Sequence, residues 1–454
     1  MRQHLTSEHS KTILRLGIPI MLGQFGVILV GFVDNIMIGR YGTLELAAAS
    51  FVNGWINLAF VVSIGFSYAL TPLVSGSYAT ANGALKTLLK SGLLANLIVG
   101  LGLFVVMGLC LINLHWFGQP EELLPLIRPY YLIQLISLLP VALFNGFKQF
   151  VDAVGETKTG MMAVIVANVF NIIFNYLLIF GKAGLPELGL IGAGIATLGA
   201  RVLSLMIVYY VVHHSGRFRE IFEKTKSRAG ALQRATIRRI FHLGTPSAIQ
   251  MGLEAGAFSV AVIMVGWLGS AELAAHQIVQ TMGTLGFMMF YGMSSAVSIM
   301  VGRYHQLKRA GELRAVVRSG LYIQLLMALT VIVLIISLRN RLGSYFGGDA
   351  EVQAIVSLLV YPLAGYQIFD MLQILFASTL RGMQDVRFTA IAAFVCYIFI
   401  TIGSAYYFGF ILQWGVVGVW LSFPIGFICL SSALIIRYRI LVKRLQRSTS
   451  TARV

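Results

Sequence analysis

The chain has 454 residues, 57% of them hydrophobic and only 11% charged, with a formal net charge of +17. Soluble domains carry about 25% charged residues, so this composition excludes a soluble protein and marks an integral membrane one. Strand-type alternation is absent, which excludes a β-barrel, and most apolar runs exceed the ~18 residues a helix needs to cross a bilayer.

In chain order, hydropathy and loop punctuation predict twelve membrane spans, at 13–38, 51–76, 89–114, 124–150, 161–181, 189–213, 238–268, 277–302, 318–338, 353–380, 388–409 and 414–436. The predicted fold is an all-α integral membrane protein. It has an N-terminal six-helix bundle at 1–213, a cytoplasmic linker at 214–237, and a C-terminal six-helix bundle with a basic tail at 238–454. Met1–Lys11 is polar and the first apolar run carries Asp34, a pattern unlike a cleaved signal peptide. Around Phe218–Phe222 the linker reads equally as a short amphipathic surface helix and as a solvated segment. Cys110, Cys396 and Cys429 lie inside apolar runs without metal-ligand spacing and read as small core residues.

Arginine and lysine set the orientation. With the N-terminus in the cytoplasm, 28 of the 34 fall on cytoplasmic segments and five on the other side (Arg40, Arg128, Lys182, Arg339, Arg341), while Arg201 lies within a span. That split predicts that both termini are cytoplasmic. The basic charge then serves topology and contact with anionic membrane lipids, not nucleic acid.

The halves repeat. Gly17-Ile18-Pro19 matches Gly244-Thr245-Pro246, and the Gly42, Glu45, Leu46, Ala47 pattern matches Gly269, Glu272, Leu273, Ala274, both at an offset of 227. Asp152 to Lys158 lines up with Arg381 to Arg387 at 229. Six spans per half give both halves the same orientation, so a pseudo-two-fold axis along the membrane normal is expected, with a substrate path between the bundles. Pro19 and Pro246 each remove a backbone hydrogen bond and allow a bend.

Only three acids fall well inside spans: Asp34 in the first, Glu254 in the seventh and Asp370 in the tenth. A charge at the bilayer centre costs roughly 2.5–3.5 kcal/mol on insertion scales, so a chain rarely carries one there without a use for it. Gln250 and Glu254 are four apart, as are Tyr366 and Asp370, and Asn171 and Asn175, which stacks each pair on one helix face. Gln367 and Gln373 extend the stripe around Asp370. Each half thus offers a candidate cation site of oxygen ligands: Asp34, Asn171, Asn175 and Thr197 in one, Glu254, Tyr366 and Asp370 in the other. Such ligands suit a hard cation or a proton, not zinc or copper, and a buried carboxylate can exchange a proton as its surroundings change. Thr197 serves equally well as packing glue between helices. Gln250, Glu254, Gln367 and Asp370 are the candidate substrate contacts. Arg201, the one intramembrane base, is free to pair with one of the acids.

With these motifs, Val33-Asp34-Asn35-Ile36-Met37-Ile38-Gly39 and Arg381-Gly382-Met383-Gln384-Asp385, the chain resembles the multidrug and toxic compound extrusion (MATE) transporters over roughly residues 10 to 440, in particular their NorM-like branch. The resemblance implies a seventh-helix Glu paired with a tenth-helix Asp and Tyr, matching Glu254, Asp370 and Tyr366. It also implies an N-half cation site at Asp34, Asn171, Asn175 and Thr197. Some archaeal members carry an acid at the position of Asn175; the amide here leans that site towards sodium. The implied function is Na+- or H+-coupled export of organic, often cationic, compounds from a bacterial inner membrane, by a monomer with no cofactor beyond the coupling ion. A lipid or lipid-linked oligosaccharide flippase is the alternative, but it calls for a basic cavity, and often fourteen spans. No HExxH, GxSxG or paired-aspartate protease pattern is present, so no enzymatic activity and no catalytic residue are expected.

Overall fold

In the computed structural model the described residues are 2–225, 230–345 and 349–451. Residues 226–229 of the expected linker and 452–454 of the expected basic tail lie outside them. Among the described residues twelve helices are long and apolar enough to cross a membrane. They are Ser7–Tyr41, Thr43–Thr80, Leu85–Ile112, Glu121–Val154, Thr157–Ile179, Gly189–His214, Arg234–Gly266, Ser270–Gln306, Ala310–Gly343, Ala350–Gly382, Val386–Ile411 and Gly415–Arg447, called here the first to twelfth spans. Every expected span is present and the fold is all-α. The spans mostly run past their predicted ends, because helices continue through polar turns that hydropathy alone leaves out.

The linker carries a short helix, Gly216–Lys224, whose Phe218 and Ile221 are buried. The Ser215 hydroxyl caps it by accepting from the Arg217 amide. Lys86 lies 5.4 Å over the Phe222 ring. The amphipathic alternative therefore holds, since two apolar side chains on one face give so short a helix something to bury.

By its contacts the chain forms two compact units, Leu22–Ala248 on one hand, and on the other the chain up to Met21 together with that from Ile249 on. The unit boundaries differ from the linker midpoint: they fall just beyond Pro19 and Pro246, at positions related by the repeat offset. Each proline leaves the carbonyl four residues earlier, on Arg15 and on His242, without its helical donor. A helix interrupted there can belong to two packing environments along its length.

Within the C-terminal unit the tenth span packs against the eighth, ninth and twelfth, which explains why its polar stripe is buried instead of facing lipid. Close approach to the eighth span needs glycine. A Cβ on Gly286 would collide with the Gln367 amide, and one on Gly283 would touch the Tyr366 ring. In the eleventh span the backbone widens into π turns over Val395–Ile402 and again over Tyr407–Ile411. The Thr401 hydroxyl donates to the Cys396 carbonyl, 3.0 Å away, inside the first of these.

Candidate functional site

Each unit buries a polar cluster around an intramembrane acid, and the two differ in build. In the unit Leu22–Ala248 a ladder of amides runs between the first, fifth and sixth spans. The Asn175 amide nitrogen donates to Asp34 Oδ1 at 2.5 Å and to Asn171 Oδ1 at 3.1 Å. Asn171 in turn donates to the Thr197 hydroxyl at 3.2 Å. All four expected residues of the N-half site therefore meet. Asn171 and Asn175 are buried while Asp34 and Thr197 are half-buried. Asn175 Oδ1 is buried with no hydrogen-bond partner, which leaves an oxygen beside Asp34 for a cation or a water.

Arg201 does not form an ion pair with any acid among the described residues. Its guanidinium donates to Gln134 Oε1 at 2.7 Å and to the Ser137 hydroxyl, and lies 4.3 Å over the Phe60 ring. Gln134 also donates to the Tyr130 hydroxyl, which donates to Asn53. This neutral cradle satisfies the guanidinium by hydrogen bonds and a ring face.

The other unit concentrates charge. Glu254 is 7% exposed and Asp370 0%, and a single amide nitrogen, Gln373 Nε2, donates to both, 3.2 Å from Glu254 Oε1 and 3.2 Å from Asp370 Oδ1. Tyr366 is buried one turn before Asp370 on the same span. Its ring is enclosed by Phe258, Trp420, Phe423 and Phe427, with centroids 5.3 to 6.4 Å away. The three expected cation-site residues of this half thus come together. Of the candidate substrate contacts, Gln367 is buried with both amide atoms unpaired. Gln250 is buried one turn from Glu254, and among the described residues no hydrogen bond joins it to the acids. Asp370 Oδ2 and Gln373 Oε1 also lack partners.

Two contributors escaped the sequence reading. Gln373 counted there only as part of a stripe, yet it bridges the two acids. Tyr397 sits in the π stretch of the eleventh span and brings its hydroxyl near Glu254 without a well-formed hydrogen bond. A lone tyrosine in an apolar run carries no signal; the widened turn that aims it is tertiary. Among the described residues no group of three His, Cys, Asp or Glu is placed to hold a metal ion.

A family model described as MatE matches residues 19–177 and 246–407, well over half of the chain and once in each repeat. The chain belongs to the MatE family. A probable multidrug resistance protein NorM of Bradyrhizobium diazoefficiens is 30% identical over 98% of this chain and 96% of that protein. The multidrug resistance protein NorM of Photobacterium profundum is 28% identical over 96% of each. Among solved structures, a multidrug resistance MATE family transporter in an outward-facing conformation superimposes with a TM-score of 0.87 at 18% identity, covering 97% of both chains. The eukaryotic MATE transporter AtDTX14 does so with 0.86 at 18% identity, covering 98% of both. These share the fold. Membership in the MatE family places the chain among multi-pass membrane transporters and not among enzymes.

Proposed function

We propose that the protein is a secondary antiporter that exports organic, often cationic, compounds in exchange for Na+ or H+ by alternating access. Its setting is a bacterial cytoplasmic membrane with both termini inside. The observation that carries this reading is the pair of buried carboxylates, Glu254 and Asp370, that share one amide donor. Two acids so placed cannot both stay ionised at low cost unless a cation or a proton joins them. A coupling cation and a cationic drug then compete for the same charge, so that binding of one releases the other. The membrane potential adds about 2.3 kcal/mol per charge per 100 mV. The multidrug resistance assignments of the full-length NorM relatives support the substrate class.

The test is reconstitution of Glu254→Gln and Asp370→Asn in liposomes. Both variants are expected to lose cation-driven ethidium efflux, and full coupled efflux by both would refute the proposal. Dependence of wild-type efflux on sodium at fixed pH, and on pH at fixed sodium, identifies the coupling ion.

A further inference from the structure

Two span ends and one junction meet in the C-terminal unit, away from the acids. His305 lies in the last turn of the eighth span, Met383, Gln384 and Asp385 join the tenth to the eleventh, and Arg437, Leu441, Arg444 and Leu445 run along the end of the twelfth. They line a cleft of about 420 Å³. Because successive spans alternate in direction, all these ends belong to one membrane face, the face that carries most of the arginine and lysine.

The cleft is amphipathic and its charge is unbalanced. Arg437 is committed to Asp385, with Nε and Nη2 at 2.6 and 3.3 Å, and lies 5.1 Å over the Phe388 ring. Arg444 is exposed and has no ion-pair partner among the described residues. His305 keeps a buried Nδ1 without a hydrogen bond. Met383, Leu441 and Leu445 supply the apolar wall.

The repeat sharpens the point. At the matching junction of the N-terminal half Glu156 pairs with Arg217 at 2.7 Å, and Lys148 pairs with the buried Asp152 at 2.8 Å, so two bases meet two acids. In the C-terminal half Arg381 stands where Asp152 stands in the first. Both copies keep the acid–arginine pair; one copy adds positive charge.

We propose that this cleft binds the phosphate of an anionic phospholipid, with Arg444 and His305 facing the phosphate and Leu441 and Leu445 against the carbon chain. A free phosphate shares the anionic chemistry but has no use for the apolar wall, and the cleft lies where spans leave the bilayer. One arginine near an anionic leaflet contributes about five-fold in affinity.

Native mass spectrometry of the full chain, equilibrated with equal phosphatidylglycerol and phosphatidylethanolamine, tests this. Wild type is expected to retain phosphatidylglycerol selectively. Arg444→Gln should weaken retention about five-fold, and Leu441→Trp, which fills the cleft without changing charge, should weaken it as well. Arg439→Gln removes an exposed charge of the same helix outside the cleft and should weaken retention less than Arg444→Gln does. Equal retention by wild type and Arg444→Gln, equal losses at Arg444 and Arg439, or displacement by millimolar inorganic phosphate would each overturn the proposal.

Discussion

The two halves share a scaffold and bury different chemistry on it. In the N-terminal half one half-buried acid ends a ladder of neutral amides. In the C-terminal half two buried acids lean on one amide nitrogen, beside a tyrosine enclosed by aromatic rings. The repeat offset aligns Glu254 with Val27 and Asp34 with Ala261, so neither site is a copy of the other. At the junction offset Tyr366 meets Ser137, which cradles Arg201, and Asp370 meets Val141. Duplication preserved the places where helices turn and bend, since these follow from glycine, proline and hydropathy. The buried polar groups then diverged under a separate constraint: each must be satisfied by whatever its own neighbours offer.

This contrast can be broken. The largest effect is expected at the acids. Glu254→Gln and Asp370→Asn should abolish cation-driven efflux in proteoliposomes, whereas Asp34→Asn should weaken it without abolishing it. Identical defects in the two halves would mean that the sites act as one. Next comes the amide bridge. Gln373→Leu leaves two carboxylates without their shared donor and should cost about 3 kcal/mol, while Asn171→Leu removes neutral hydrogen bonds and should cost about 1 kcal/mol. Thermal unfolding in detergent at matched sodium and pH compares them, and equal shifts would erase the distinction.

The junction ion pairs give a smaller contrast. Arg437→Gln breaks a two-pronged pair with side chains 30% and 18% exposed and should lower stability by about 1–2 kcal/mol. Arg217→Gln breaks a pair whose arginine is 63% exposed and should stay below about 1 kcal/mol. A larger loss at Arg217 would show that the linker helix Gly216–Lys224 depends on that contact. Smallest of all, Tyr397→Phe removes a hydroxyl without a well-formed bond. It should change stability by less than about 0.5 kcal/mol and shift half-saturation by the coupling ion only about two-fold. A total loss of coupling would place Tyr397 among the cation ligands.

Much of this protein was legible from its residues. Twelve spans follow from apolar runs of bilayer length, because a backbone in lipid must satisfy its own hydrogen bonds and does so as helix. The acids Asp34, Glu254 and Asp370 stood out because a charge in such a run is costly. Spacing of four then put Tyr366 beside Asp370 and Asn171 beside Asn175, which depends only on helix geometry. What lay between helices was not legible. That Gln373 reaches both acids, that Arg201 settles on Gln134, Ser137 and Phe60 and not on an acid, and that π turns aim Tyr397 at Glu254 all depend on which helix faces meet. So does the change of unit just past Pro19 and Pro246. Local sequence determines a helix and its polar face, since both arise from interactions within a few residues. Only tertiary packing decides which partner that face finds, because the partner is contributed by distant chain, 141 residues away for Asn175 and Asp34.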